Sequence, residues 1–188
     1  MKDLKLEQLR NYRETEDFIF FYGSGYSQWF PCKITDVEGN VFPTSEHFMM
    51  YHKAKLFGDT GVMQKVFKTP RPEDVKKLGR EVKNFNAQLW DKNKEYIVTL
   101  GNYYKFTQNP GYQKLLYLSG NKEIVEASPY DKIWGIGLAV SDDRVLDKFN
   151  WQGENLLGEC IMTVREIVRN PKTKTKVVKL LEETLYRF

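Results

Sequence analysis

Glu46 and Lys53 lie seven residues apart in a segment bounded by turn-forming residues. Pro43-Thr44-Ser45 ends a strand and offers an N-cap hydroxyl, and Gly58 closes the segment, so helix is expected from Glu46 to Phe57. Seven residues are close to two turns, with about 10 Å of rise at ~1.5 Å per residue. Both side chains then leave one face of the helix. They stand too far apart for a resting salt bridge, yet can reach one ligand from two points. Met49, Met50 and Ala54 border that face and would leave a pocket there apolar. Desolvation disfavours the ammonium form of Lys53, and a neutral amine is a nucleophile toward a carbonyl or an anomeric carbon. A surface helix carrying two solvated charges would show the same spacing.

Asp131 and Trp134 precede Gly135 and Gly137. A carboxylate beside an indole can bind a hydroxylated ring and move protons, and Gly135 would let backbone approach a ligand. A tight turn with a packed tryptophan is the plainer alternative. Gly135-Ile136-Gly137 lacks the third glycine and the strand–turn–helix setting of a dinucleotide fingerprint. Trp90 is a core anchor or a stacking wall. Arg80 could hold a phosphate in its fork of donors or cap the preceding helix. Asn155 falls near a helix N-terminus, where anion contact and N-capping are both available.

Other chemistries are excluded by spacing. His47 and His52 are the 2 histidines, and neither has a carboxylate at triad spacing. The Tyr22-Gly23-Ser24-Gly25-Tyr26 turn is not followed by Gly-Lys-Ser/Thr and is no Walker loop. Cys32 and Cys160 stand alone, without the pairs or Cys/His clusters of a structural zinc site. No metal and no cofactor is expected.

The elements that must position these residues follow from local pattern. Residues 1–17 are polar and are read as a loose helix. Phe18 to Tyr22 is a buried strand, and Cys32 to Val37 pairs with Val41-Phe42 around Glu38-Gly39-Asn40. Helices are expected over Thr60–Phe67, Glu73–Leu78 with Gly79 as its cap, Gln88–Gln108, Tyr112–Leu118, Leu156–Val168 and 175–186. Ile124 to Ala127 is extended, Ser128 to Gly137 is a loop, and 139–152 is polar, irregular and exposed. The fold class is therefore mainly α, with a small β-sheet or hairpin near the N-terminus, in a single domain.

The 12 Phe, 11 Tyr and 4 Trp are more than an ordinary share, which leaves rings for a pocket that takes flat or cyclic ligands. A net charge of +4 is too mild for a permanent duplex-DNA partner but suits an anionic small molecule or a transient nucleic-acid contact. Much of the excess sits at Lys172, Lys174, Lys176 and Lys179. That run is a solvated face or a nucleic-acid contact. The charged N-terminus lacks the apolar core of a signal peptide, and no apolar stretch nears the ~20 residues of a membrane span. A reduced, cytoplasmic setting without membrane contact is expected.

Several strings, taken in order, resemble one family. They are Tyr26-Ser27-Gln28-Trp29-Phe30-Pro31-Cys32, then Thr44-Ser45-Glu46-His47-Phe48-Met49-Met50-Tyr51 with Lys53-Ala54 and Leu56-Phe57-Gly58-Asp59. Leu78-Gly79-Arg80, Trp90, Lys105-Phe106, Glu126-Ala127-Ser128-Pro129 with Asp131, Trp134-Gly135-Ile136-Gly137 and Trp151-Gly153-Asn155-Leu156-Leu157-Gly158 follow. The set is similar to the NADAR, or YbiA-like, family over roughly residues 18–168. Residues 1–17 are then an N-terminal extension and 169–188 a basic helical tail outside the resemblance. The stretch from Val140 to Asn150 follows no family pattern.

The resemblance implies a mainly helical domain that cleaves N-glycosidic bonds. It also implies two substrate types: a ribose-phosphate amine intermediate of riboflavin biosynthesis, and ADP-ribose linked to the exocyclic amine of guanine in DNA or RNA. Both carry an amino-linked heterocycle on an anomeric ribose carbon. The family's functional positions fall on Glu46, Lys53, Trp90, Asp131 and Trp134; Arg80, Gly135 and Asn155 join them as substrate-binding candidates. Glu46 or Asp131 would assist ring opening, Lys53 would attack the anomeric carbon to form an imine, and the two tryptophans would sandwich a ring. A non-catalytic ADP-ribose or nucleotide-binding module is the alternative from another class. It would need the aromatic walls and Arg80, but not Lys53 together with two carboxylates.

Overall fold

A computed structural model describes residues 11–187. Phe18-Ile19-Phe20-Phe21 is a continuous apolar run, the pattern of a strand covered on both faces. It forms β2 (Phe18–Phe21), antiparallel to β1 (Tyr12–Glu14) and parallel to β5 (Glu123–Glu126). Side chains alternate across the sheet. Ile19, Phe21 and Ile124 enter the main helical core, while Phe20 and Val125 point into a second cluster with Ala127, Ile136, Leu138, Val140 and Val145. β3 (Ile34–Thr35) and β4 (Val41–Phe42) make a separate hairpin, shorter than the expected Cys32–Val37 pairing.

Parallel pairing of β2 with β5 needs a long crossover, and five helices fill it. These are α1 (Ser45–Leu56), α2 (Thr60–Lys68), α3 (Pro72–Arg80), α4 (Ala87–Gln108) and α5 (Pro110–Leu118). After β5 come a long loop, α6 (Leu156–Arg169) and α7 (Pro171–Leu185). The mainly helical fold with a small sheet is as the sequence implied. α1 is the hub. Thr44 caps it by accepting the His47 N–H at 3.2 Å, and every residue from Ser45 to His52 is buried. A helix covered all round belongs to the interior, which removes the surface-helix reading of Glu46 and Lys53.

Both histidines are structural. His47 bridges the Thr44 hydroxyl (2.7 Å) and the Thr69 carbonyl (2.8 Å). His52 lies among the rings of Phe42, Phe48, Tyr51 and Tyr186. Neither of its ring nitrogens has a hydrogen-bond partner among the described residues, and burial pushes its pKa down to about 3.

Three local expectations are corrected. Residues 12–14 are strand rather than loose helix, because pairing with β2 satisfies their backbone; residues 1–10 lie outside the described residues. Gly79 does not cap α3 but lies within it, since a Cβ there would come 1.9 Å from Met50 Sδ. The hydrogen atom is what lets α3 close on α1. The 139–152 stretch is not simply exposed: Val140 and Val145 seal the outer face of the sheet, and the Trp151 indole donates to the Val145 carbonyl at 2.9 Å. Among the described residues no helix is long and apolar enough to cross a membrane.

Candidate active site

The carboxyl ends of the parallel strands β2 and β5 open on one cavity of about 670 Å³, within the usual ligand-pocket range of about 300–1,000 Å³. Tyr22 and Gly23 follow β2 into its wall, and Glu126 ends β5 there. α1 supplies Glu46 and Lys53, α3 supplies Lys76 and Arg80, and the first turn of α4 supplies Trp90. Asp131 and Trp134 come from the loop after β5. Six of the eight sequence-derived candidates thus share one space: Glu46, Lys53, Arg80, Trp90, Asp131 and Trp134.

Glu46 stands in the first turn of α1, with its backbone N–H donated to the Gln28 carbonyl at 3.0 Å and only 5 % of its surface exposed. Burial pushes its carboxyl up to about 7. Asp131 adds to the rise, against the opposing pull of Lys76, a hydrogen bond from Trp29, and Lys53. Both protonation states are therefore accessible near neutral pH.

Two turns on, Lys53 Nζ donates to the Gly79 carbonyl at 2.7 Å and sits over the rings of Phe85 and Trp90, 4.5 and 5.2 Å from their centroids. Burial pulls its pKa below the ordinary lysine value. The charge of Glu46 opposes that fall and Arg80 adds to it. Beyond the apolar border of Met49, Met50 and Ala54 expected from the sequence, a ring cage and a neighbouring guanidinium surround the amine. Arg80 forms no ion pair among the described residues, which leaves its guanidinium open to an anionic ligand.

Asp131 is committed on both oxygens. Its Oδ1 accepts the backbone N–H groups of Ile133 (3.1 Å) and Trp134 (2.9 Å), and its Oδ2 faces Lys76 Nζ at 3.4 Å. The side chain folds the loop that carries Trp134, and its charge acts on Glu46.

Gly135 and Asn155 lie outside the cavity and build its floor. A Cβ on Gly135 would meet the Glu126 carbonyl at 2.7 Å. Asn155, in the left-handed region at φ 56, accepts the Glu126 N–H (2.9 Å) and donates to the Ile124 carbonyl (3.0 Å). Its amide ties the end of β5 to the start of α6 rather than facing a ligand.

Sequence reasoning passed over three residues that complete the site: Trp29, Lys76 and Glu126. Burial pushes the Glu126 carboxyl up to about 8. Asp131 and Glu46 reinforce the shift and Lys76 opposes it. The available signal was position, since ligand sites gather at the carboxyl ends of parallel strands. Among the described residues no group of three or more His, Cys, Asp or Glu is arranged to hold a metal ion, and both cysteines are free thiols.

The profile of the NADAR domain matches residues 20–169. An N-glycosidase of Acanthamoeba polyphaga mimivirus is 44% identical over 165 residues, covering 81% of this chain and 97% of the viral protein. The protein irg-1 of Caenorhabditis elegans is 37% identical over 91% of this chain and 89% of its own length. A riboflavin biosynthesis protein of Vibrio vulnificus is 30% identical over 80% of this chain but only 38% of its own length. In three dimensions the NMR structure of the E. coli protein YbiA superposes with a TM-score of 0.68 over 87% of this chain and 92% of that one, at 24% identity. The chain belongs to the NADAR family.

Proposed function

We propose that this chain is an N-glycosidase that hydrolyses the bond between an anomeric ribose carbon and an amino-linked heterocycle, with ADP-ribosylated guanine as its substrate. The observation that carries the reading is a buried glutamate and a desolvated lysine opening on one aromatic-walled cavity. Glu46 delivers a proton to the ring oxygen as the sugar opens. Lys53, as the neutral amine, adds to the anomeric carbon. The heterocycle leaves, and water hydrolyses the lysine imine. Asp131, with both oxygens engaged, acts through its charge on Glu46 rather than as the acid.

Three features favour an ADP-ribose-sized substrate. The cavity has room beyond a ribose phosphate, Arg80 stands ready for a phosphate, and aromatic groups edge the opening, with Trp29 41% and Tyr130 87% exposed. No described residue of α7 reaches the cavity wall, so the basic tail lends this reading no support. A second reading, release of ribose 5-phosphate from a riboflavin-biosynthesis intermediate, is favoured by the likeness to the Vibrio protein.

A side-by-side assay tests both: an oligonucleotide carrying ADP-ribosylated guanine, and the ribosylamino-pyrimidine phosphate. Free ADP-ribose from the first supports the proposal. Ribose 5-phosphate from the second with the oligonucleotide untouched selects the alternative. Tight binding without release of either product turns the reading to a binding module. Borohydride should trap a covalent sugar adduct on the wild-type chain and none on Lys53→Ala, which loses essentially all turnover; near-normal turnover by that variant refutes the imine route.

A further inference from the structure

The scheme above leaves one proton without a source. Glu46 serves ring opening and Lys53 attacks, yet the departing nitrogen must also be protonated. Expelling it as an anion is far slower than expelling it as an amine.

Glu126 is placed for this. It ends β5 on the cavity wall, and its backbone is pinned on both sides, by the Asn155 side chain at its N–H (2.9 Å) and by the Ile136 N–H at its carbonyl (3.0 Å). Asp131 has both oxygens engaged. The Glu126 carboxyl, in contrast, makes no side-chain hydrogen bond or ion pair among the described residues. The charged groups that act on it are Asp131 from the loop, Lys76 from α3 and Glu46 from α1. Two carboxylates and one ammonium around a desolvated carboxyl favour its acid form.

We propose that Glu126 is the catalytic acid that protonates the leaving nitrogen, an inference that rests on the N-glycosidase reading. After addition, the anomeric carbon bears two nitrogens, and the Glu46 carboxylate left by ring opening takes back the proton that the lysine nitrogen sheds. The lone pair of the lysine nitrogen forms C=N while the bond to the heterocycle's nitrogen breaks. That bond's electron pair stays on the departing nitrogen, which takes the Glu126 proton. Water then adds to the imine carbon and returns one proton to the Glu126 carboxylate. Collapse of the carbinolamine frees Lys53 and the open-chain sugar. The carboxyl, pushed up to about 8, starts this sequence protonated at neutral pH. Two carboxyl groups thus divide the two proton deliveries, Glu46 to the ring oxygen and Glu126 to the nitrogen.

The test is Glu126→Gln, assayed on the 5-phosphates of N-phenyl and N-(4-nitrophenyl) ribosylamine. The nitro group makes the leaving nitrogen less basic and less dependent on an acid. On the phenyl substrate kcat should fall roughly 10²–10⁴-fold, the usual worth of a positioned general acid, with KM little changed. On the nitrophenyl substrate the loss should be clearly smaller. Equal losses on both, or no loss on either, overturn the assignment. An independent arm needs only the wild-type chain: its kcat on the phenyl substrate should fall with two ionisations, one through about pH 7 from Glu46 and a second through about pH 8 from Glu126. A profile with a single ionisation, and no steepening above that of Glu46, overturns the proposal even if the variant does not fold. Failure of the wild-type chain to turn over any N-glycoside refutes the parent reading instead.

Discussion

Glu46→Gln should inactivate the protein and stabilise it at the same time. Glu46 has an ordinary pKa of 4.5 in the unfolded chain and about 7 in the folded one. Between those values the folded chain keeps a proton that the unfolded chain has released, so stability falls as pH rises through the window. The contribution is fully present below pH 4.5 and lost above about 7. A span of 2.5 units, 7 minus 4.5, corresponds to at most about 3.5 kcal/mol at ~1.4 kcal/mol per unit. Coupling to Glu126 shares that cost, and a buried glutamine amide needs partners of its own, so about 2 kcal/mol is the working figure. For a chain of this length that is roughly 4–8 °C in Tm. Thermal melts of the wild-type chain and Glu46→Gln at pH 8 and pH 5 make the measurement. The variant should melt higher at pH 8, and the gap should close toward pH 5, where both side chains are neutral. A variant that melts at or below wild type at pH 8 would show that the carboxylate is not held at a cost, and the assignment of Glu46 as a tuned acid would fall with it. Stability lost to keep an active-site group poised is a recurring trade.

Two further substitutions probe the walls of the same site. Asp131→Asn keeps an oxygen for the Ile133 and Trp134 N–H groups but removes the charge that raises Glu46 and Glu126. The alkaline limb of a kcat profile should therefore move to lower pH while the fold is kept; an unmoved limb contradicts the electrostatic role. Asn155→Ala leaves the Glu126 N–H and Ile124 carbonyl without their side-chain partner and puts alanine at φ 56. Denaturant unfolding should show a loss of roughly 2–4 kcal/mol, whereas a loss below ~1 kcal/mol would return Asn155 to the list of ligand contacts.

What was legible in the sequence was local. Thr44 and Ser45 announced the start of α1, Gly58 its end, and helix geometry put Glu46 and Lys53 on one face. The burial of α1 was not legible, because a helix covered on all sides has no polar stripe to set against an apolar one. Gly79 was misread for a related reason: glycine punctuates helices often, and only Met50 in the neighbouring helix shows that here it admits close packing. The seal made by Val140 and Val145 comes from single valines in a polar stretch, which carry no period. Their role depends on a sheet face that two distant strands create.

The same distance in sequence explains why Glu126 escaped notice while Asp131 did not. A carboxylate next to a tryptophan and a glycine pair stands out when read along the chain, and Asp131 proves to be the residue that shapes that turn. Glu126 closes a short apolar strand and reads as the place where burial stops. Only the pairing of Phe21 with Glu126 across the sheet puts that strand end beside the turn at Tyr22-Gly23 and opposite the first turn of α1. A crossover of five helices separates the two strands, so no window along the chain holds both. Local pattern found the residues that build the site's frame and one helix face of its chemistry. The second acid depends on topology, and there the parallel pair, with its ligand crevice at the carboxyl ends, is the stronger guide.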